Sequence, residues 1–451
     1  MVIKLFKPLF ITFSLLVIAC SNSEYTDVSA VDNCAFNTSP ITQTSSSQSS
    51  DNSTQPQPNS TPHTLNNDEC LITQEPEYVP LNDSEYPYIG IPRIVIETEK
   101  GQAIKDKETE IPAKLQVWGK DSPESDVLRL TIKGRGNTTW KFAKKPYAIK
   151  FENKESFLGM PEAKKWVFLA NYRDRTLMRN SIAFELARKT SLVWTPNGKF
   201  VELFLNGKYL GNYFVCEKIE VKKNRLELSK KSYLLEFDVH YDEKYKFRTS
   251  INDLPVNIKY PNDIDSSSLN YIQDFIDSTE RVLQQDAEDT EYQKYLDQES
   301  FADYLIVYAM ANKREPTWPK SVFMHKGDGG RLTAGPVWDF DWATFDINKK
   351  GFDNWNIPIF KELTKKKEFK DILKKCWKFD QVGFENIFSY IDSLANYISK
   401  SNQRNIELWP ITLDKGSVGD DDKTFEEAID MLKKDIRKRI DELDSLISVM
   451  K

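Results

Sequence analysis

Between residues 91 and 151 the apolar positions fall in short runs. Ile94-Val95-Ile96 and residues 113–118, 127–132 and 147–151 are rich in β-branched and aromatic side chains, split by Gly, Pro and charged turns. That pattern predicts β-strands. Residues 166–171 read as a further buried strand. Met178, Ile182 and Leu186 then recur every fourth residue with Ala183 and Ala187 beside them. This predicts a helix to about Lys189, with Asp174 as its N-cap. Residues 200–205 and 209–221 flank Asn206-Gly207, a hairpin signal, and Glu217 interrupts the second strand. Residues 232–238 make another strand, with Glu236 and Asp238 on one face.

Beyond Pro261 the period becomes helical. Leu269, Ile272, Phe275 and Ile276 form one face. A second helix spans about Gln298 to Asn312, with Phe301, Leu305 and Tyr308 on one side. A polar loop with Glu315, Pro316 and Pro319 follows. Residues 321–326 and 332–340 then predict a hairpin across Gly327-Asp328-Gly329-Gly330. Near the end, Thr424 and Glu427 form a capping box, and Phe425, Ile429, Leu432, Ile436, Ile440, Leu443 and Ile447 mark a packing helix. The expected fold class is α+β: a β-rich N-terminal lobe over residues 88–254 and a helical lobe over 255–451.

The N-terminus follows other rules. Lys4 and Lys7 precede an apolar run from Leu9 to Ile18, which ends in Ala19-Cys20. The run is too short for a stable membrane span and reads as a signal segment, residues 1–20. A small residue before the cysteine resembles a bacterial lipobox. That resemblance implies cleavage, lipidation of Cys20, and a membrane-tethered protein outside the cytoplasm. Residues 21–80 are dominated by Ser, Thr, Asn, Gln and Pro, so they predict a disordered stalk. Cys34 and Cys70 lie within it, either paired or free. Cys216 and Cys376 sit in apolar surroundings and read as buried small hydrophobes. The net charge is −6, with Lys and Arg dispersed among acids. No basic stripe or aromatic RNA-binding pattern exists, so nucleic acid is not an expected partner.

Candidate chemistry concentrates in Gly335-Pro336-Val337-Trp338-Asp339-Phe340-Asp341-Trp342-Ala343. On a strand, Asp339 and Asp341 share a face. Adjacent carboxylates repel unless a cation lies between them or one keeps its proton. Mg²⁺ or Mn²⁺ resolves this with oxygen ligands while leaving room for phosphates. The alternative is two solvated acids in a turn after a core strand. Upstream, Gly134 and Gly136 allow a loop to turn its N–H groups toward phosphates, and Lys150 ends an apolar strand. The order is a helix, a loop with Asn312 and Glu315, a hairpin, then Asp339. A phosphotransferase requires that order: an acid to orient the hydroxyl, an amide near the metal, and an aspartate on it.

Residues 133–140 with 145–151, then 166–180, 206–220, 318–326 and 332–341, together resemble the spore-coat protein H (CotH) kinase family, a set of atypical protein kinases. The resemblance covers the chain from about Ile91 onward. It implies an atypical bilobal protein-kinase-like fold. It also implies ATP, Mg²⁺ or Mn²⁺, and γ-phosphoryl transfer to Ser or Thr of protein substrates. By motif position, Asp339 is the metal ligand, joined by Asp341 and Asn312, and Glu315 is the catalytic-loop acid. Lys150 is the phosphate-contacting lysine, with Lys145 close enough to compete. Gly134, Gly136 and Glu217 complete the nucleotide-facing set. Glu315 departs from the Asp expected there and adds a methylene. A kinase-like surface binding or adhesion module without catalysis is the rival function, and a metal-dependent nuclease or hydrolase is the third.

Overall fold

Seven strands close into a barrel: β1 (Arg93–Thr98), β2 (Ile111–Trp118), β3 (Leu128–Gly134), β4 (Tyr147–Phe157), β5 (Met160–Leu169), β6 (Gly198–Leu205) and β7 (Lys208–Glu217). Their order is β1-β2-β3-β4-β5-β7-β6, and a parallel β1–β6 pairing seals the seam. The computed structural model describes residues 81, 84–313, 319–346, 357–410 and 418–450. Cys20, the stalk with Cys34 and Cys70, and Glu315 lie outside them. Period-two alternation fills the barrel: Ile94, Ile96, Ile149, Phe151, Trp166, Phe168, Tyr213 and Val215 share one apolar cluster. The Asn206-Gly207 turn joins β6 and β7 as expected, with φ of +50° and +71°, the backbone such two-residue hairpins require.

A second sheet has the order β12-β11-β8-β10-β9. Its strands are β8 (Tyr233–Phe237), β9 (Lys246–Arg248), β10 (Pro255–Tyr260), β11 (Val322–Lys326) and β12 (Leu332–Ala334). β10 pairs with β8 and β9, and β8 pairs on its other edge with β11. The sheet is therefore continuous across residue 254, the boundary expected between the two lobes. The helices are α1 (Arg179–Arg188), α2 (Ser266–Leu283), α3 (Gln298–Ala311), α4 (Pro358–Leu363), α5 (Lys367–Glu385), α6 (Ile387–Leu408) and α7 (Phe425–Ser448). The class is mixed α and β. No described helix is long and apolar enough to cross a membrane.

α3 is buried along almost its whole length and contacts α1, α5, α7 and β12, as a helix apolar on all sides must. Its N-cap Asp297 accepts the Ser300 N–H, and Asn312 closes it in the left-handed region. α7 begins with the expected capping box. Two local expectations fail. Asp174 is not a helix cap, because α1 begins at Arg179; its carboxylate instead accepts the N–H groups of Thr176 and Arg179. Residues 332–340 are not one strand either. β12 stops at Ala334, because Pro336 has no N–H for the ladder and Val337 and Phe340 are core plugs with no exposure.

Asp303 on α3 and Asp380 on α5 are both 1% exposed. Burial and the neighbouring Asp303 push the Asp380 carboxyl up to about 8. Asp303 is also raised by burial, although Ser191 donates to it twice. A folded-state pKa above the unfolded one gives stability that is present at low pH and lost as pH rises through about 8. Relative to wild type, Asp380→Asn is therefore expected to gain stability progressively between about pH 4 and pH 8, so that its advantage is larger at pH 9 than at pH 6 by on the order of 1–3 kcal/mol. Thermal melts at the two pH values check this. An equal difference at both would show that the pair does not ionise.

Candidate active site

A cleft of about 620 Å³ opens where the barrel meets the second sheet. One wall is the loop after β3. A Cβ on Gly134 would fall 2.5 Å from the Trp140 ring, and Gly136 has φ of +80° with Thr139 packed against it. Both positions therefore require glycine. The N–H of Gly134 donates to Asp106 and that of Arg135 to Pro146, so these two amides are not turned toward a ligand. What the loop delivers is the side chain of Arg135, which enters the cleft over the Trp338 ring at 5.7 Å.

The opposite wall is the segment after β12. Asp339 sits in the left-handed region at φ +69°, a conformation that Asp tolerates. Asp339 and Asp341 both line the cleft, brought together by a fixed loop rather than by strand alternation. The loop is anchored along its length. Tyr308 bonds Trp338 through its hydroxyl, and Asn180 accepts the Phe340 N–H at 2.8 Å. Lys313 donates to the Trp342 carbonyl at 3.1 Å, Arg179 to that of Thr344 at 3.0 Å, and Asn312 to that of Asp346. Arg179 itself is buried in ion pairs with Asp174 and Asp420.

Desolvation and then the Asp339 charge push the Asp341 carboxyl up to about 7, against the pull of Lys313 and Arg135. Desolvation opposes the charge of Arg135 too, while Asp339 and Asp341 support it. Among the described residues no hydrogen bond or ion pair reaches the Asp339 carboxylate. No group of three or more His, Cys, Asp or Glu is placed to hold a metal among them.

Of the residues expected from sequence, Gly134, Gly136, Asp339 and Asp341 meet in this cleft. Asn312 anchors the acid-bearing loop from behind. Lys150 does not line the cleft. β4 runs on to Phe157, so Lys150 is mid-strand, exposed on the outer wall opposite Lys165. Lys145 donates to the Trp140 carbonyl at 2.8 Å and covers that ring. Glu217 is buried in an ion pair with Arg225 and accepts the Asn197 N–H. Its carboxyl is raised by burial.

Sequence reasoning gave no role to Arg135, Lys218, Lys259, Glu236 or Asp238, which all line the cleft. Lys259 bonds Glu236 at 3.2 Å and also Glu243; desolvation opposes its charge, and the two carboxylates sustain it. Desolvation pushes Lys218 down to about 8, helped by Lys165 and Lys259. Asp238 accepts the Ser321 N–H at 3.0 Å and bonds the His240 ring at 2.7 Å. Glu236 and Asp238 are legible as one strand face, but the lysine that bonds Glu236 arrives only through the β8–β10 pairing.

Asp339 and Asp341 thus line one cleft together with Arg135, Lys218 and Lys259. The model of the CotH kinase family, described as CotH kinase protein, matches residues 132–443, from β3 into α7. The chain belongs to the CotH kinase family and is a kinase-like protein of the CotH type. No curated protein matches it.

Proposed function

We propose that this protein is a metal-dependent kinase that transfers the γ-phosphoryl group of ATP to Ser or Thr hydroxyls of proteins outside the cytoplasm. The observation that carries the reading is the Asp339–Asp341 pair opposite Arg135 in a chain of this family. An all-oxygen set of one or two carboxylates suits Mg²⁺ or Mn²⁺, which retains waters and completes its shell from substrate phosphates. The raised Asp341 carboxyl fits too, since a divalent ion would relieve the burial and the Asp339 repulsion that raise it. When bound, the ion supplies charge neutralisation on the phosphates. Asp339 and Asp341 would hold it, while Arg135, Lys218 and Lys259 face the phosphate oxygens. Trp338, Phe323, Val167 and Leu169 form an apolar wall that excludes water. Glu315 would orient the acceptor hydroxyl. In this reading the barrel takes the nucleotide and the helical side carries the metal ligands.

A thermal-shift titration with Mn²⁺ and ATP tests it. A ligand at 100 times its Kd raises native stability by about 2.7 kcal/mol. No shift with any nucleoside triphosphate would favour the rival, a kinase-like surface binding module. The substitution of Glu for the usual Asp at position 315 is what keeps that rival in view.

The same proposal places the protein on a membrane through Cys20. Cys20→Ala is expected to release the protein to the soluble fraction or leave it unprocessed, as read by fractionation and mass. Normal processing with unchanged membrane retention would sink the anchor.

A further inference from the structure

The outer barrel wall carries a row of lysines that leads into the cleft. Lys150 on β4 stands directly opposite Lys165 on β5. The β5–β7 register pairs Trp166 with Glu217, so Lys218, the next residue, continues the row beside Lys165. Lys150 and Lys165, as direct cross-strand partners, share a face, with Ile149 and Trp166 pointing into the barrel core. Like charges directly opposite one another are unfavourable in a sheet. Among the described residues none of the three lysines forms an ion pair. Glu110, beyond the outer end, is engaged by Lys133 at 3.5 Å and Thr131 at 3.1 Å, and the charge of Lys150 acts on it without forming an ion pair. On a chain of net charge −6 this row is a local exception.

Geometry fixes what the row can serve. Lys218 lines the cleft, whereas Lys150 and Lys165 do not, so a nucleotide held in the cleft leaves two of the three without a partner. Adjacent strands are about 4.8 Å apart, so three lysines span roughly 10 Å, the length of three residues of extended chain at ~3.3 Å each. The inner end lies near Arg135, which also senses Asp339 and Asp341. We propose that Lys150 and Lys165, leading up to Lys218 at the cleft, form a docking track for an acidic stretch of the acceptor protein, so that the site selects Ser or Thr flanked within a few residues by Asp or Glu. This rests on the kinase reading of the cleft. Charge complementarity of this kind sets partner choice and association rate more than bulk affinity.

Two matched peptides test it, each with one Ser: one flanked by Glu residues, the other by Gln. Their binding to the nucleotide-free full chain is followed by fluorescence anisotropy, and their kcat and KM are measured with Mn²⁺ and ATP. The wild type is expected to bind the Glu peptide more tightly, and less so as salt rises. Lys150→Glu with Lys165→Glu is expected to weaken the Glu peptide about tenfold and raise its KM, with its kcat and the KM for ATP unchanged. Lys150→Gln with Lys165→Gln, milder at these solvent-facing positions, is expected to give a smaller loss in the same direction. Equal binding of both peptides by the wild type, or a Glu peptide unaffected by either double variant, overturns the track. Charge-dependent binding without transfer keeps the docking surface and removes the kinase reading; transfer without charge-dependent binding does the reverse.

Discussion

Asp339→Asn is expected to abolish phosphoryl transfer and to remove the rise in melting temperature that Mn²⁺ and ATP produce in the wild type. The amide conserves the shape of the carboxylate and removes its charge, so the ion loses an anionic ligand. Asn tolerates the left-handed backbone at φ +69° as Asp does, so the loop is retained. Apo stability moves the other way. The Asp341 carboxyl stands at about 7, raised by desolvation and then by Asp339. A raised acid contributes stability that is full below its unfolded pKa and lost as pH rises through the folded one. Removing the Asp339 charge lowers that folded pKa. The variant should therefore equal or exceed wild type at pH 8 and lose the advantage near pH 4. Melts of both proteins at the two pH values, with and without Mn²⁺ and ATP, decide the matter. Marked apo destabilisation with an undiminished ligand shift would make Asp339 a scaffold residue and remove the metal site.

The largest stability effect is expected at Arg179. Its guanidinium joins Asp174, Asp420 and the Thr344 carbonyl, and all three charged groups are at most 3% exposed. Arg179→Met leaves two carboxylates buried without their cation, a loss of about 3–5 kcal/mol. The acid-bearing loop also loses an anchor, so the response to Mn²⁺ and ATP should weaken in any protein that still folds. Arg179→Lys keeps the charge without the planar fork and should restore part of the stability and less of the ligand response. Urea denaturation gives the first quantity and a Mn²⁺ titration the second. Full recovery of both by Lys would show that the fork geometry is not needed.

These residues show where sequence patterns carry information and where they stop. The Asn206-Gly207 hairpin, the apolar α3 and the capping box of α7 are local, so local sequence encodes them. The Asp339–Asp341 pair was also legible, but for the wrong geometric reason. The apolar run before it looks like a strand because Val337 and Phe340 are buried, and burial alone does not distinguish a strand from a plugged loop. Lys150 was misplaced because alternation gives a strand two faces without saying which one meets the cleft. Only barrel closure settles that, and it brings in Arg135. Asp420 opens the run Asp420-Asp421-Asp422-Lys423, which reads as solvated charge. It is 1% exposed because Arg179, 241 residues earlier, draws it in.

That separation matters while the chain is being made. Lys144 sits buried against the barrel with its ammonium on the Ala170 and Asn212 carbonyls and on Asn405 of α6, 261 residues downstream. At about 5–20 residues per second, the partners of Lys144 and Arg179 emerge roughly 10–50 s after them. Through that interval the growing barrel holds two cations whose last counter-groups have not yet been synthesised. Water must solvate them, so the side that α6 later covers stays wet and exposed to proteases. A chain that stops before Asn405 keeps every strand of the barrel and lacks its final seal. One that stops between α6 and Asp420 has the seal but leaves Arg179, an anchor of the acid-bearing loop, with only one of its two carboxylates.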